Sequence, residues 1–193
     1  VGTNLAVSGA AFQGIFRNPL VESRILGVSS GAAFGAALAM VLRGGPAGIH
    51  TLAFLGGLLA AGLAILLGTA FGGGILVLVL SGVLVSSFFS SLVSLMKYLA
   101  DPYVQLPGIT FWLMGGLSAV LWGEVVPLAL ASAIGLGGML LLRWRLNILT
   151  LSEAEAQALG LPVKRLRFLT VALGTLLTAA SVSVSGVVGW IGL

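Results

Sequence analysis

Long runs without a single charged side chain constrain this chain more than any other feature. Thr51 to Gly68, Ile75 to Met96 and Val125 to Leu142 contain no Asp, Glu, Lys or Arg. Roughly 20 apolar residues in a row make a helix that crosses the hydrocarbon core of a bilayer. Over the whole chain only 7% of residues are charged, against about 25% in soluble domains. With so little polar surface to offer, the chain needs the bilayer as its solvent. The fold class read from this is all-α, a polytopic transmembrane helical bundle. Glycine, 29 of 193 residues, is roughly twice its usual ~7% share. Helix association in lipid depends on close packing of small residues, so the excess predicts a dense bundle.

The polar breaks divide the chain into about six spans. Val1–Phe16 reads as the later part of one, ended by the turn Arg17-Asn18-Pro19-Leu20-Val21-Glu22-Ser23-Arg24, whose proline stops a helix. Ile25–Leu42 is the second. Gly27, Gly31 and Gly35 recur every fourth residue there, a packing ridge on one helix face. Thr51–Gly68 is the third, after a loop holding Arg43 and His50. The uncharged break Gly72-Gly73-Gly74 leads to the fourth, Ile75 to about Tyr98. The run Ile109–Trp122 has 14 residues, too short to span, and reads as an interfacial or re-entrant helix. Val125–Leu142 and Phe168 to about Ser185 are the fifth and sixth. Between them runs one long polar segment, Arg143–Arg167. The chain is expected to be a single transmembrane domain, 1–193, internal to a longer protein or truncated.

Charge sets the orientation. Four spans separate the 17–24 and 143–167 loops, so both face the same side. That side carries Arg17, Arg24, Arg143, Arg145, Lys164, Arg165 and Arg167, and the other only Arg43 and Lys97. Basic residues concentrate in cytoplasmic loops, so both loops are placed in the cytoplasm. The net charge of +4 therefore reports topology, and no nucleic-acid partner is read from it.

Several chemistries are excluded. The chain has no cysteine, which removes thiolate nucleophiles and Cys-ligated metals. A P-loop needs Gly-Lys before Ser or Thr, yet Lys97 follows Met96 and Lys164 follows Val163. Neither Ser30-Gly31 nor Ser185-Gly186 completes the Gly-x-Ser-Gly nucleophile motif of an intramembrane serine protease. Ion-coupled transport needs acidic residues or broken helices at the midplane, and no Asp, Glu or His lies mid-span. His50, the sole histidine, has no acid close in sequence and offers no metal site. Glu124 at a span end suits capping or snorkelling, Asp101 a turn, and Lys97 snorkelling.

Two segments remain. In Leu146–Arg167, Thr150 with Glu153, or Ser152 with Glu155, forms a capping box, while Gly160 and Pro162 end the helix. Ala154 and Ala158, four apart, give it a small face that suits either a docked partner or the membrane surface. In the fourth span Ser86, Ser87, Ser90, Ser91 and Ser94 fall within about 140° of a helical wheel. That stripe suits a wetted path, or serines packed on a neighbour and bonded to their own carbonyls.

Seven stretches carry a resemblance along the chain. They are Gly9-Ala-Ala-Phe-Gln-Gly-Ile-Phe-Arg-Asn-Pro-Leu20, Leu26-Gly-Val-Ser-Ser-Gly31, Leu80-Ser-Gly82, Phe111-Trp-Leu-Met-Gly-Gly116, Asn147-Ile-Leu149, Ala158-Leu-Gly160 and Gly186-Val-Val-Gly-Trp-Ile-Gly192. In this order they resemble the FecCD-type permeases of binding-protein-dependent ABC importers, which carry iron-siderophores, haem and cobalamin. The resemblance implies part of a roughly ten-span subunit, lacking an N-terminal span and the C-terminal spans, in the inner membrane. It implies three partners: a second permease subunit, most simply a homodimer, an extracytoplasmic substrate-binding protein, and a separate ATP-binding subunit. No cofactor is expected in this chain, with ATP and magnesium on that ATPase. Leu151, Ser152, Glu153, Ala154, Glu155, Ala158 and Gly160 would form the coupling helix. The Ile75–Tyr98 span with its serines would line the translocation path. Gly72, Gly73 and Gly74 would lie near the cytoplasmic gate, where relatives often carry larger or polar residues. The substrate expected is a metal chelate, with an oxyanion such as molybdate as the alternative in the same family, or an ion-coupled secondary transporter outside it.

Overall fold

A computed structural model describes residues 1–118, 120–149 and 162–188. Seven helices account for most of them: α1 (Gly2–Phe16), α2 (Val28–Val41), α3 (Pro46–Ala70), α4 (Ile75–Leu99), α5 (Gln105–Met114), α6 (Trp122–Leu149) and α7 (Val163–Ser185). Four of these, α3, α4, α6 and α7, are long and apolar enough to cross a membrane. Six spans were expected. The difference lies in α1 and α2, of 15 and 14 residues.

The second span is corrected most. Ile25–Leu42 is not one helix, because helical structure begins only at Val28. Residues 17–27 run as turns and irregular backbone, with Val21, Ser23 and Leu26 buried. Non-helical chain at membrane depth survives where protein covers it. Here α4 does so: a methyl on Gly82 would strike the Ile25 carbonyl, and Gly27 sits against Ser86. Gly27 is the N-cap of α2 at φ 79°, a left-handed conformation that suits glycine. It therefore stands apart from the ridge expected of Gly27, Gly31 and Gly35.

The other two glycines do meet a helix. A Cβ on Gly31 would hit the Gly56 carbonyl of α3, a Cβ on Gly56 would hit the Gly31 carbonyl, and one on Gly35 would hit the Leu52 carbonyl. The α2 and α3 backbones touch without side chains between them, the close approach that small residues permit in lipid.

Helix ends also extend beyond the apolar runs. Helix α3 starts at Pro46, with proline in its first turn, where a missing N–H costs nothing. Helix α6 runs on to Leu149, and α7 starts at Val163. Arg143, Arg145, Lys164, Arg165 and Arg167 are thus on helices, not in a loop. Their long stems let the charged heads reach water past the hydrocarbon.

Helix α7 is the axis of the bundle. In its most apolar 18-residue window 67% is buried, against 11% for α6 and 22% for α4. Phe12 of α1 lies against Gly174, and Leu177 and Leu173 lie against Gly135 and Gly138 of α6. Of its buried hydroxyls, Thr178 Oγ1 donates to the Gly174 carbonyl at 2.9 Å and lies 3.1 Å from Ser8 Oγ, while Thr175 and Ser181 have no hydrogen-bond partner among the described residues. Asn4 Nδ2, also buried, donates to Ser132 Oγ at 2.7 Å and ties α1 to α6. Contacts of α3 with α2, α4 and α7, and of α6 with α7, pair early residues of one helix with late residues of the other, so each pair is antiparallel. Arg17, Arg143, Arg145 and Lys164 accordingly share one end of the bundle, called the inner end below.

Candidate functional site

Helix α4 presents the serine stripe, and the structure divides it. Ser86 is half-buried beside Gly27. Ser87 and Ser91 are exposed, and their hydroxyls donate to the Val83 and Ser87 carbonyls at 3.0 Å each. Ser90 and Ser94 line a groove of about 330 Å³. Ser94 also donates to the Ser90 carbonyl, at 3.2 Å. Self-bonded serines and groove-lining serines thus occur on one helix, and Ser94 is both.

The groove lies between the first turn of α2 and the outer half of α4. Arg24, Ser29, Ser30, Ala33, Ser90, Val93, Ser94 and Lys97 line it, closed by Leu113 and Val187. Arg24 was expected at the cytoplasmic surface with the rest of the 17–24 loop. The buried path of residues 21–27 carries it into the bundle instead, where its Nε donates to Glu22 Oε2 at 2.8 Å. Lys97, in the last turn of α4, was read as a snorkelling residue and also faces this groove. Sequence reasoning did not bring Arg24, Ser29, Ser30 and Lys97 together. A local signal existed, since Leu26-Gly27-Val28-Ser29-Ser30-Gly31 is a glycine-started helix with hydroxyls in its first turn, but only the fold brings it beside Lys97.

A second polar cluster joins three helices at the outer end. His50 stands in the first turns of α3, not in a loop. Its Nδ1 lies 2.6 Å from the Ser183 carbonyl of α7, and its Nε2 lies 2.7 Å from Glu124 Oε1 of α6. A carbonyl only accepts, so Nδ1 carries the hydrogen of that bond. Glu124 Oε2 also accepts from the Leu121 N–H at 3.2 Å, reaching back to the start of α6 as a glutamate at the third helical position does. Glu124 therefore both caps its helix and meets His50, which has an acid beside it after all. A largely apolar cavity of about 520 Å³ adjoins the pair, lined by Pro46, Phe54, Pro127 and Val184 among others. Among the described residues no cluster of three or more His, Cys, Asp or Glu could hold a metal ion.

Gly72, Gly73 and Gly74 form the turn between α3 and α4 at the inner end, and a Cβ on any of them would meet nothing within 4 Å. The coupling residues Leu151, Ser152, Glu153, Ala154, Glu155, Ala158 and Gly160 lie outside the described residues.

The FecCD transport family model matches residues 1–193, the entire chain. The chain belongs to the FecCD transport family. Among its relatives in that family, the molybdate import system permease protein MolB of Haemophilus influenzae is 43% identical over the whole of this chain and 58% of its own length. An iron chelatin transport system permease of Helicobacter pylori is 39% identical, again over all of this chain and 58% of its own length. The fold matches a solved structure of a metal-chelate type ABC transporter in an inward-facing conformation, with a TM-score of 0.94, 41% identity, and coverage of 99% of this chain and 61% of the other. The chain thus spans about three-fifths of the length of the relatives it matches. As a FecCD chain whose described residues include four helices long and apolar enough to cross a membrane, it is a multi-pass protein of the inner membrane.

Proposed function

We propose that this chain is the central part of a permease subunit in an ATP-driven importer that moves a metal chelate into the cytoplasm. The observation that carries this is the family match over residues 1–193, with the TM-score of 0.94 to a metal-chelate type ABC transporter in support. On this reading ATP and magnesium act on a separate ATPase, which meets the permease at 151–160. A binding protein delivers substrate to the outer end. A second permease subunit, most simply an identical one, faces α4 and completes the path. The exposed, hydroxyl-bearing side of α4 supports that role, and ATP-driven closure of the motor would rock the helices between outward and inward openings.

A specific observation favours a second reading within the same family. The groove beside Ser90 and Ser94 is small and cationic, and a relative 43% identical is a molybdate permease. An oxyanion would suit it as substrate.

The test is uptake by the full-length subunit reconstituted in vesicles with its ATPase and binding protein. Ferric siderophore and molybdate are offered separately. Uptake of one of them is expected to require internal ATP and to be unaffected by a proton ionophore. Uptake without ATP that collapses with the proton gradient would instead establish an ion-coupled transporter.

A further inference from the structure

We infer that the groove between the first turn of α2 and the outer half of α4 is a transit site for a small, oxygen-rich anion. The inference rests on the transport reading above and narrows the substrate class to oxyanions or the exposed carboxylates of a compact chelate.

Four observations converge on it. Two cationic side chains line the groove, Arg24 and Lys97. Arg24 is held by Glu22, the carboxylate that pairs with it, yet a guanidinium has five N–H donors and Glu22 takes two through one oxygen. The rest stay available, and Glu22 fixes the direction of the fork. Lys97 makes no ion pair with a described residue. Counting Arg24, Lys97 and Glu22 together, the groove keeps one net positive charge.

The first turn of α2 adds to this charge. No side chain caps it, so its leading N–H groups and the positive end of the helix dipole are left for a ligand. This is not a short turn but the start of a 14-residue helix.

The decisive observation is Ser29. Its side chain is buried, with 7% exposure, and its hydroxyl has no hydrogen-bond partner. A buried hydroxyl without a partner costs about 1–3 kcal/mol. Ser29 lines this groove, so a rotation about its χ1 would bring the hydroxyl to an acceptor arriving there. Ser30 and Ser90 add neutral donors around the same volume.

Size supplies the fourth point. At about 330 Å³ the groove is at the small end of ligand pockets, which run ~300–1,000 Å³. It suits a tetrahedral oxyanion with some of its water. A passage must bind well enough to admit its substrate and weakly enough to release it. One net charge, a tethered guanidinium, a flexible ammonium and a few hydroxyls meet that requirement better than a closed cage would.

The experiment uses the full-length permease in vesicles, in a background whose only cysteine is Ser90→Cys. Labelling rates of a negatively and a positively charged methanethiosulfonate reagent are compared, with and without millimolar molybdate or ferric dicitrate. The anionic reagent is expected to react about tenfold faster relative to its cationic counterpart than at an exposed reference cysteine such as Tyr103→Cys. Lys97→Gln is expected to cut that preference at least threefold, and Ser29→Ala to weaken protection by the anion. Protection by molybdate alone assigns a free oxyanion, and protection by ferric dicitrate alone assigns a carboxylate chelate. Absence of charge preference, or protection by neither anion, overturns the inference. Charge preference and protection alongside a failure of ATP-driven uptake would instead overturn the transport reading and leave the anion site standing. Lys97 lies near a helix end, so its variant keeps the test open if Arg24→Gln does not fold.

Discussion

Gly31 and Gly35 show what one missing methyl group does in this bundle. At each, an added Cβ meets a carbonyl oxygen of α3 rather than a side-chain tip that could swing away. Relief would require the α2 and α3 axes to separate. Gly62 on the same α3 has nothing within 4 Å of its would-be Cβ. Gly35→Ala is therefore expected to destabilise the full-length subunit by about 1–3 kcal/mol, the usual cost of overpacking. Gly62→Ala should be neutral or gain up to ~1 kcal/mol of helix propensity. Thermal unfolding in detergent separates the two, and equal effects would show that α2 and α3 do not pack as described. The two glycines are spaced identically to Gly27, yet Gly27 does something else. Spacing revealed the ridge, and nothing in the spacing told which glycine begins the helix.

At the scale of elements, the outer ends of α3, α6 and α7 are held together by His50, Glu124 and the Ser183 carbonyl. The side chains of His50 and Glu124 are 24% and 13% exposed, so solvent weakens this pair less than it would a surface pair. Hydrogen bonds to charged groups contribute about 1.5–3 kcal/mol, and Glu124 also supports the start of its own helix. Glu124→Ala should lower stability by about 2 kcal/mol or more, with Glu124→Gln losing less because an amide oxygen can still accept from Leu121. A double-mutant cycle with His50→Ala checks whether the pair itself is responsible, since an additive result would leave only the cap. The sequence placed Glu124 correctly as a capping residue at a span end. It hid the pair, because 74 positions separate the two residues in the chain and only the packing of α3 and α6 around α7 brings their outer ends together.

For the whole molecule, burial is uneven in a way that suits part of a larger assembly. Helix α7 is enclosed, while α4 and α6 turn Leu84, Phe88, Leu130 and Ile134 outward. In a bilayer such faces meet lipid tails or other helices without penalty. On the proposed reading the remaining contacts include the ATPase at 151–160. Reversing charge at Glu153 to Lys and adding bulk with Ala154→Leu and Ala158→Leu should reduce ATP-driven uptake at least tenfold, with subunit expression unchanged. The paired assay is ATP hydrolysis by the assembled complex stimulated by loaded binding protein. Wild-type uptake with the ATPase still bound would remove 151–160 from the coupling role.

The sequence by itself determined the solvent, the helical class and the family. These follow from local quantities: the length of uncharged runs and short motifs in fixed order. The turn at Gly72–Gly74 was legible for the same reason, since without it the basic clusters would fall on opposite sides. What only the tertiary structure decided is where the chain departs from a helix inside the membrane, and which polar residues then meet. Nothing local marks Ile25–Gly27 as irregular, because those residues are as apolar as any in a span. The conformation becomes affordable only when α4 covers the backbone at Gly82 and Ser86. Once covered, the segment carries Arg24 away from the inner surface, and a charge that topology would leave in a loop lines a groove with Ser29 and Lys97.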